Sequence, residues 1–149
     1  MPIDKSGDFW TGSHAADIEP FLKALAKEER TIPINLYRAA ACGCGAVEFK
    51  LSGDDEEGCA RRVCAACKTS HFICDSADYW QESTPEPLLC HGCAGAMFNV
   101  GAGFSLNKGE GRHVQWITIG QRCVRCGILG SFVDWKIGYS PSSHLIDQV

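Results

Sequence analysis

Eight of the ten cysteines in this 149-residue chain fall into four close pairs, and those pairs bracket stretches that read as hairpins. The pairs are Cys42-x-Cys44, Cys64-x-x-Cys67, Cys90-x-x-Cys93 and Cys123-x-x-Cys126. Between the last two lie β-type runs, Phe98 to Leu106 and Val114 to Ile119, separated by a polar, Gly-rich turn from Asn107 to Arg112. A knuckle on each side of a hairpin brings four sulfurs to one point. Four thiolates at about 2.3 Å are what a closed tetrahedral Zn²⁺ site takes. The N-terminus shows neither a basic nor an apolar signal-peptide region, so none is expected. No apolar run reaches the roughly 18 residues of a membrane span. In a reducing cytoplasm, paired cysteines read as metal ligands before disulfides. The expectation is therefore about two Zn²⁺ per chain, on Cys42, Cys44, Cys64, Cys67, Cys90, Cys93, Cys123 and Cys126. Four thiolates also suit an iron centre of the rubredoxin type.

The rest of the chain is read around these pairs. Phe9 and Trp10 are expected to pin a polar N-terminal tail. Ile18, Phe21, Leu22 and Leu25 fall at i, i+3, i+4 and i+7, predicting one helix over 15–30, with Asp17 at its start and Pro20 in its first turn. Val47, Phe49 and Leu51 alternate with polar residues and predict a half-buried strand over 46–51. Ser52 to Gly58 is acidic and reads as a solvated turn. In the second half, Val100, Ala102 and Phe104 alternate with small residues, and the run from Val114 carries apolar residues on both faces. Similar segments surround both cysteine sets, which predicts an internal repeat with a Pro-containing linker over 81–87. The tail from Ser140 onward is expected to be partly loose.

Cys90-x-x-Cys93 … Cys123-x-x-Cys126-Gly127 resembles a zinc ribbon, and Cys42-x-Cys44-Gly45 … Cys64-x-x-Cys67 resembles a variant with one knuckle a residue short. The resemblance covers about 42–139 and implies a fold and a metal, not an activity. The segments Ala41 to Phe49 and Arg122 to Gly127 also resemble the opening and closing motifs of glutathione-dependent formaldehyde-activating enzymes. That likeness implies a nested pairing, with Cys42 and Cys44 sharing a metal with Cys123 and Cys126, and a zinc-dependent carbon–sulfur lyase acting on a glutathione adduct. Arg62 stands where that family places the first thiolate of its inner motif. Sequential and nested pairing use the same eight cysteines. Cys59, Cys74 or His71 could replace a ligand of the first site.

The whole reads as a small, mostly β, metal-stabilised fold: two zinc-ribbon-like β-hairpin modules packed together, with one N-terminal α-helix. The divisions are 1–41 for tail and helix, 42–87 for the first module, and 88–149 for the second module and tail. The functional expectation is a soluble, cytoplasmic protein with structural four-cysteine zinc sites and a scaffold or protein-interaction role, with the zinc-dependent carbon–sulfur lyase as the alternative. The formal net charge is −4; eight ligating thiolates and two dications take it to about −8. That field argues against nucleic acid, which calls for a basic footprint. Tyr79, Trp80, Trp135 and Tyr139, beside acids, are expected either to pack as core between the modules or, where exposed, to form a protein-binding cluster, because such aromatics anchor interfaces.

Overall fold

In a computed structural model, which describes residues 3–107 and 113–149, the chain is mostly β with one α-helix near the N-terminus. Lys108 to Arg112 of the expected Gly-rich turn lie outside the described residues. The strands are β1 (Ile3–Asp4), β2 (Thr11–Gly12), β3 (Leu36–Ala39), β4 (Phe49–Asp54), β5 (Cys59–Cys64), β6 (Ser70–Phe72), β7 (Glu86–Pro87), β8 (Phe98–Leu106), β9 (Val114–Cys123) and β10 (Leu129–Lys136). The helix α1 spans Ile18–Glu28 after a 3₁₀ turn at Ala15–Asp17.

The two expected hairpins, β4–β5 and β8–β9, are both present, and each gains a third strand after its second knuckle. They lie in one sheet, ordered β10-β9-β8-β4-β5-β6, with β3 paired to β8 and β7 to β4. The order is symmetric about its centre: third, second and first strands of one half meet first, second and third of the other. The register carries the same symmetry. Phe49 pairs with Cys64, Phe98 pairs with Cys123, and Phe49 and Phe98 pair with each other across the centre.

One face of the sheet carries a core running through both halves, from Phe49, Leu51 and Ile73 to Phe98, Phe104, Ile117, Ile119 and Trp135. Alternation along β8 puts Phe98, Val100, Ala102 and Phe104 there. A bulge opposite Ser105–Leu106 brings Val114 into this core beside Ile117, against strict alternation. The opposite face receives α1 through Ile18, Phe21 and Leu22, the helical face expected from their spacing. That seat needs a bare backbone: a Cβ on Gly120 would stand 2.8 Å from Ile18 Cγ2 and 2.9 Å from both Leu22 methyls. Asp17 fastens the helix start differently from a simple cap. Its carboxylate reaches back to accept the backbone N–H of Ser13 (2.8 Å) and His14 (3.0 Å).

Four expectations change. The first strand begins at Phe49 and runs to Asp54, so half of the acidic segment is strand, and Val47 is left outside, 45% exposed. Pairing of Ser52 and Gly53 with β7 on one side and β5 on the other extends the ladder past the hydrophobic run. The tail after Ser140 is docked rather than loose. Ser142 Oγ accepts the N–H of Val114 (2.9 Å), Leu145 is buried, and the Gln148 carbonyl accepts the N–H of Cys74 (2.8 Å). The segments after the two second knuckles part company: residues 76–78 and 80–82 form 3₁₀ turns, whereas Asp134 and Trp135 continue β10. At the N-terminus Trp10 packs edge-on against Phe21, with ring centroids 5.5 Å apart, but Phe9 stays 45% exposed.

Candidate metal centres

The eight paired cysteines gather into two groups of four, Cys42, Cys44, Cys64 and Cys67 in one, and Cys90, Cys93, Cys123 and Cys126 in the other. In the first, Cys42 and Cys67 sulfurs are 3.5 Å apart and those of Cys44 and Cys64 are 3.7 Å apart. In the second, the Cys90–Cys126 and Cys93–Cys123 distances are 3.4 and 3.5 Å. A tetrahedron of sulfurs about 2.3 Å from a metal has edges of roughly 3.8 Å, whereas a disulfide holds its sulfurs about 2.05 Å apart. None of the ten cysteines is in a disulfide. Each group can thus hold a metal ion. The grouping is sequential. Cys42 and Cys44 do not meet Cys123 and Cys126, so the nested set implied by the formaldehyde-activating resemblance is not assembled.

Matching backbone bonds shape the knuckles. In the second knuckle of each half, the first cysteine's N–H reaches the carbonyl five residues on, Thr69 (2.9 Å) or Ile128 (2.9 Å). Its own carbonyl accepts from Lys68 (3.0 Å) or Gly127 (2.8 Å). Those two residues have positive φ, 66° and 82°, the conformation that closes such a turn. The next residue, Ala65 or Val124, donates across to the residue before the first strand, Glu48 (2.9 Å) or Met97 (3.1 Å). The short first knuckle solves its missing residue inside the turn. Cys42 N–H reaches Ala46 O and Gly45 N–H returns to Cys42 O, each spanning one residue less than the Cys90–Gly95 and Ala94–Cys90 bonds of the other half. The sulfurs still converge.

Electrostatics also call for a cation. Hydrogen bonds from the Thr69 hydroxyl and backbone N–H bring Cys67 down to about 6. Burial pushes Cys90 up, but the backbone N–H groups of Cys93 and Gly92 prevail and leave it at about 7. The Ala46 N–H favours the Cys44 thiolate, yet the neighbouring sulfurs of Cys42 and Cys64 outweigh it and drive Cys44 to about 11. Burial, then the sulfurs around it, push Cys126 to about 12. Four thiolates so close cannot all ionise alone; a dication at the centre removes that obstacle. The donor set, all sulfur with no carboxylate, suits a soft-ligand tetrahedral ion.

Arg62 is buried against the first group rather than replacing a ligand. It donates to the backbone oxygen of Val149 from Nε (3.1 Å) and Nη2 (2.9 Å), and its guanidinium lies 4.6 Å from the Phe49 ring centroid. Burial lowers its pKa, while the sulfurs of Cys42 and Cys64 act to raise it. Its charge would offset part of the net negative charge of four thiolates around a bound dication.

Cys59, Cys74 and His71 join neither group. Cys59 and Cys74 are buried, and burial raises both thiols above the ordinary range. His71 Nε2 sits 2.9 Å from the Gln148 carbonyl. The aromatic cluster divides. Trp135 is core, its N–H donated to the buried Asp75 carboxylate (3.0 Å), and Tyr139 donates to the other oxygen (2.7 Å). Trp80 is half-buried, edge-on to Phe72 and beside Arg61. Tyr79 and Tyr139 remain exposed. Sequence reading missed Thr69 and Asp75; a hydroxyl two residues after a cysteine was the available signal for Thr69. Among the described residues, no helix is long and apolar enough to cross a membrane. No protein-family model, curated protein or solved structure matches the chain.

Proposed function

We propose that this is a soluble, cytoplasmic zinc protein whose two four-cysteine sites are structural, and whose body serves as a scaffold or protein-interaction surface without catalysis. One observation carries the reading: each cysteine group offers four sulfurs around one point, so a tetrahedral ion there needs no water ligand. A closed ion cannot serve as a Lewis acid without losing a ligand. Zinc is favoured over iron because it has no redox demand and is the usual occupant of closed four-thiolate sites. The two halves are an internal duplication in this reading, supported by the symmetric strand order, the Phe49–Phe98 pairing and the matched knuckle bonds. The modules 42–87 and 88–149 are its two copies, with 1–41 as an added tail and helix.

Elemental analysis of the purified protein should return about two zinc ions per chain. Cobalt-substituted protein should show a tetrahedral thiolate spectrum that added imidazole leaves unchanged. Iron in place of zinc, or a spectrum that responds to imidazole, would overturn the structural assignment. Exposed Tyr79 and Tyr139, with the half-buried Trp80, are the proposed contact residues of the expected aromatic cluster. Trp135 contributes only by holding Asp75 under them.

A further inference from the structure

The outer edge of β10 is covered at both ends, and between them none of the described strands pairs with it. At its start the N-terminal segment adds to the sheet: Leu129 donates its N–H to Trp10 O (2.8 Å), and Gly12 donates to Gly127 O (2.9 Å). The chain then leaves the edge, and Phe9 turns towards His91, their ring centroids 6.1 Å apart. Further along, the Asp134 N–H is taken by the Asp55 carboxylate (3.1 Å). Alternation from Leu129, whose N–H already faces out, brings Ser131 to the outer edge, and a bulge between Ser131 and Val133 then shifts the register so that Asp134 faces out in its turn. Gly130 beside it has no side chain.

A cavity of about 220 Å³ opens at this gap. Leu88, Phe98, Ile128 and Phe132 contribute apolar walls, and Gln121 lines it from β9. Gln121 is only 7% exposed, and among the described residues its Oε1 has no hydrogen-bond partner. Its Nε2 lies 2.6 Å from where a Cβ on Gly130 would stand, so the glycine is what leaves room for the amide. Two exposed large apolar side chains, Phe9 (45%) and Leu89 (53%), also line the cavity. The volume falls below the roughly 300 Å³ where pockets for drug-sized ligands begin. It suits one side chain.

We propose that this gap receives an extended segment of a partner polypeptide. The segment pairs with the Ser131 edge of β10, continuing the augmentation that residues 10–12 begin. One of its side chains, aromatic with a single polar atom, enters the cavity beside Gln121. Backbone pairing to an open edge supplies affinity, and the pocket supplies selectivity. The inference deepens, and rests on, the reading of the protein as an interaction scaffold.

The test uses zinc-loaded, ¹⁵N-labelled protein and capped pentapeptides Ac-Ser-Val-Xaa-Val-Ser-NH₂, with Xaa as Trp, Tyr or Asp. The Trp and Tyr peptides should shift the Gly130, Ser131 and Gln121 side-chain resonances and slow exchange of the Ser131 amide. The Asp peptide should bind at least tenfold more weakly. Ser131→Pro removes an N–H that alternation turns away from β9, a tolerable change on an edge strand, and should weaken the Trp peptide at least tenfold. Gly130→Val, which crowds Gln121, should do the same. Zinc content and circular dichroism establish that each variant folds. If Ser131→Pro does not fold, a Trp peptide N-methylated at the residue after Xaa replaces it, with the same loss expected. Indole alone binding as tightly as the Trp peptide would overturn the strand-docking proposal, making this a small-molecule pocket. So would an absence of shifts at Gly130 and Ser131. A failed titration with two zinc ions still bound sinks the docking slot alone, whereas imidazole-responsive cobalt sinks the structural-zinc reading beneath it.

Discussion

Replacing Cys126 by serine removes one sulfur from the second group, where it lies 3.4 Å from Cys90. A structural zinc site of this type contributes roughly 10–16 kcal/mol of folding free energy near neutral pH. One ligand in four therefore accounts for about 2.5–4 kcal/mol, before the poorer fit of a hydroxyl is counted. A chain of this size loses about 2–4 °C of Tm for each kcal/mol, so the melt should fall by roughly 5–16 °C. The structure adds a condition on its shape. Phe49 and Leu51 of the first half share one buried cluster with Phe98, Ile117 and Trp135 of the second, and the tail after β10 binds Arg62 and Cys74 of the first. Damage to the second site must then reach the first. The zinc-loaded variant should melt in a single transition, with zinc released from both sites together, followed by circular dichroism and a chromophoric chelator. A variant that keeps two zinc ions and melts unchanged would refute the ligand assignment. Two separate transitions, one at the wild-type temperature, would refute the shared core.

Three further outcomes are expected. Cys74→Ala should retain two zinc ions per chain by elemental analysis and lose about 1 kcal/mol or less in urea, because Cys74 lies outside both groups and behaves as a small buried hydrophobe. Gly120→Val should cost on the order of 1–3 kcal/mol by overpacking, since even a Cβ there meets Ile18 and Leu22 within 2.9 Å; zinc content should stay at the wild-type value in the same preparation. Acidification should release metal and lower the melting temperature together. Cys67 has a folded pKa depressed from 9.0 to about 6, so its contribution is fully present above about 9 and is lost as pH falls through about 6. Melts at pH 7.5 and pH 5 with parallel zinc analysis check this, and a Tm that rises on acidification contradicts it.

Much of the metal chemistry was legible because it is local. Two cysteines separated by one or two residues are confined to one turn, whatever the rest of the chain does. Phe98 to Leu106 was readable as a strand for the same reason, its alternation repeating over nine residues. The strand at Phe49–Asp54 was misplaced at both ends, because pairing with β5 and β7, not hydrophobicity, carries it through Ser52 and Gly53. Trp135 was legible as an aromatic for either the core or a contact surface, and the structure puts it in the core. Its fate depends on Asp75, 60 residues away, which takes its N–H inside the protein.

Which eight side chains can bind metal, how many ions they can fill, and where a helix with one apolar face begins are all written in the chain. These follow from spacing along the chain and from the donor chemistry of sulfur. That Cys42 meets Cys64 and Cys67 rather than Cys123 and Cys126, and that both halves share one sheet through Phe49 and Phe98, emerged from the tertiary structure alone. It alone placed the tail over Arg62 and set β10 at the margin of the sheet order. Knuckle spacing is the same in either pairing. The choice between them rests on which strands find each other, a long-range competition of backbone hydrogen bonds and buried area that no short motif records.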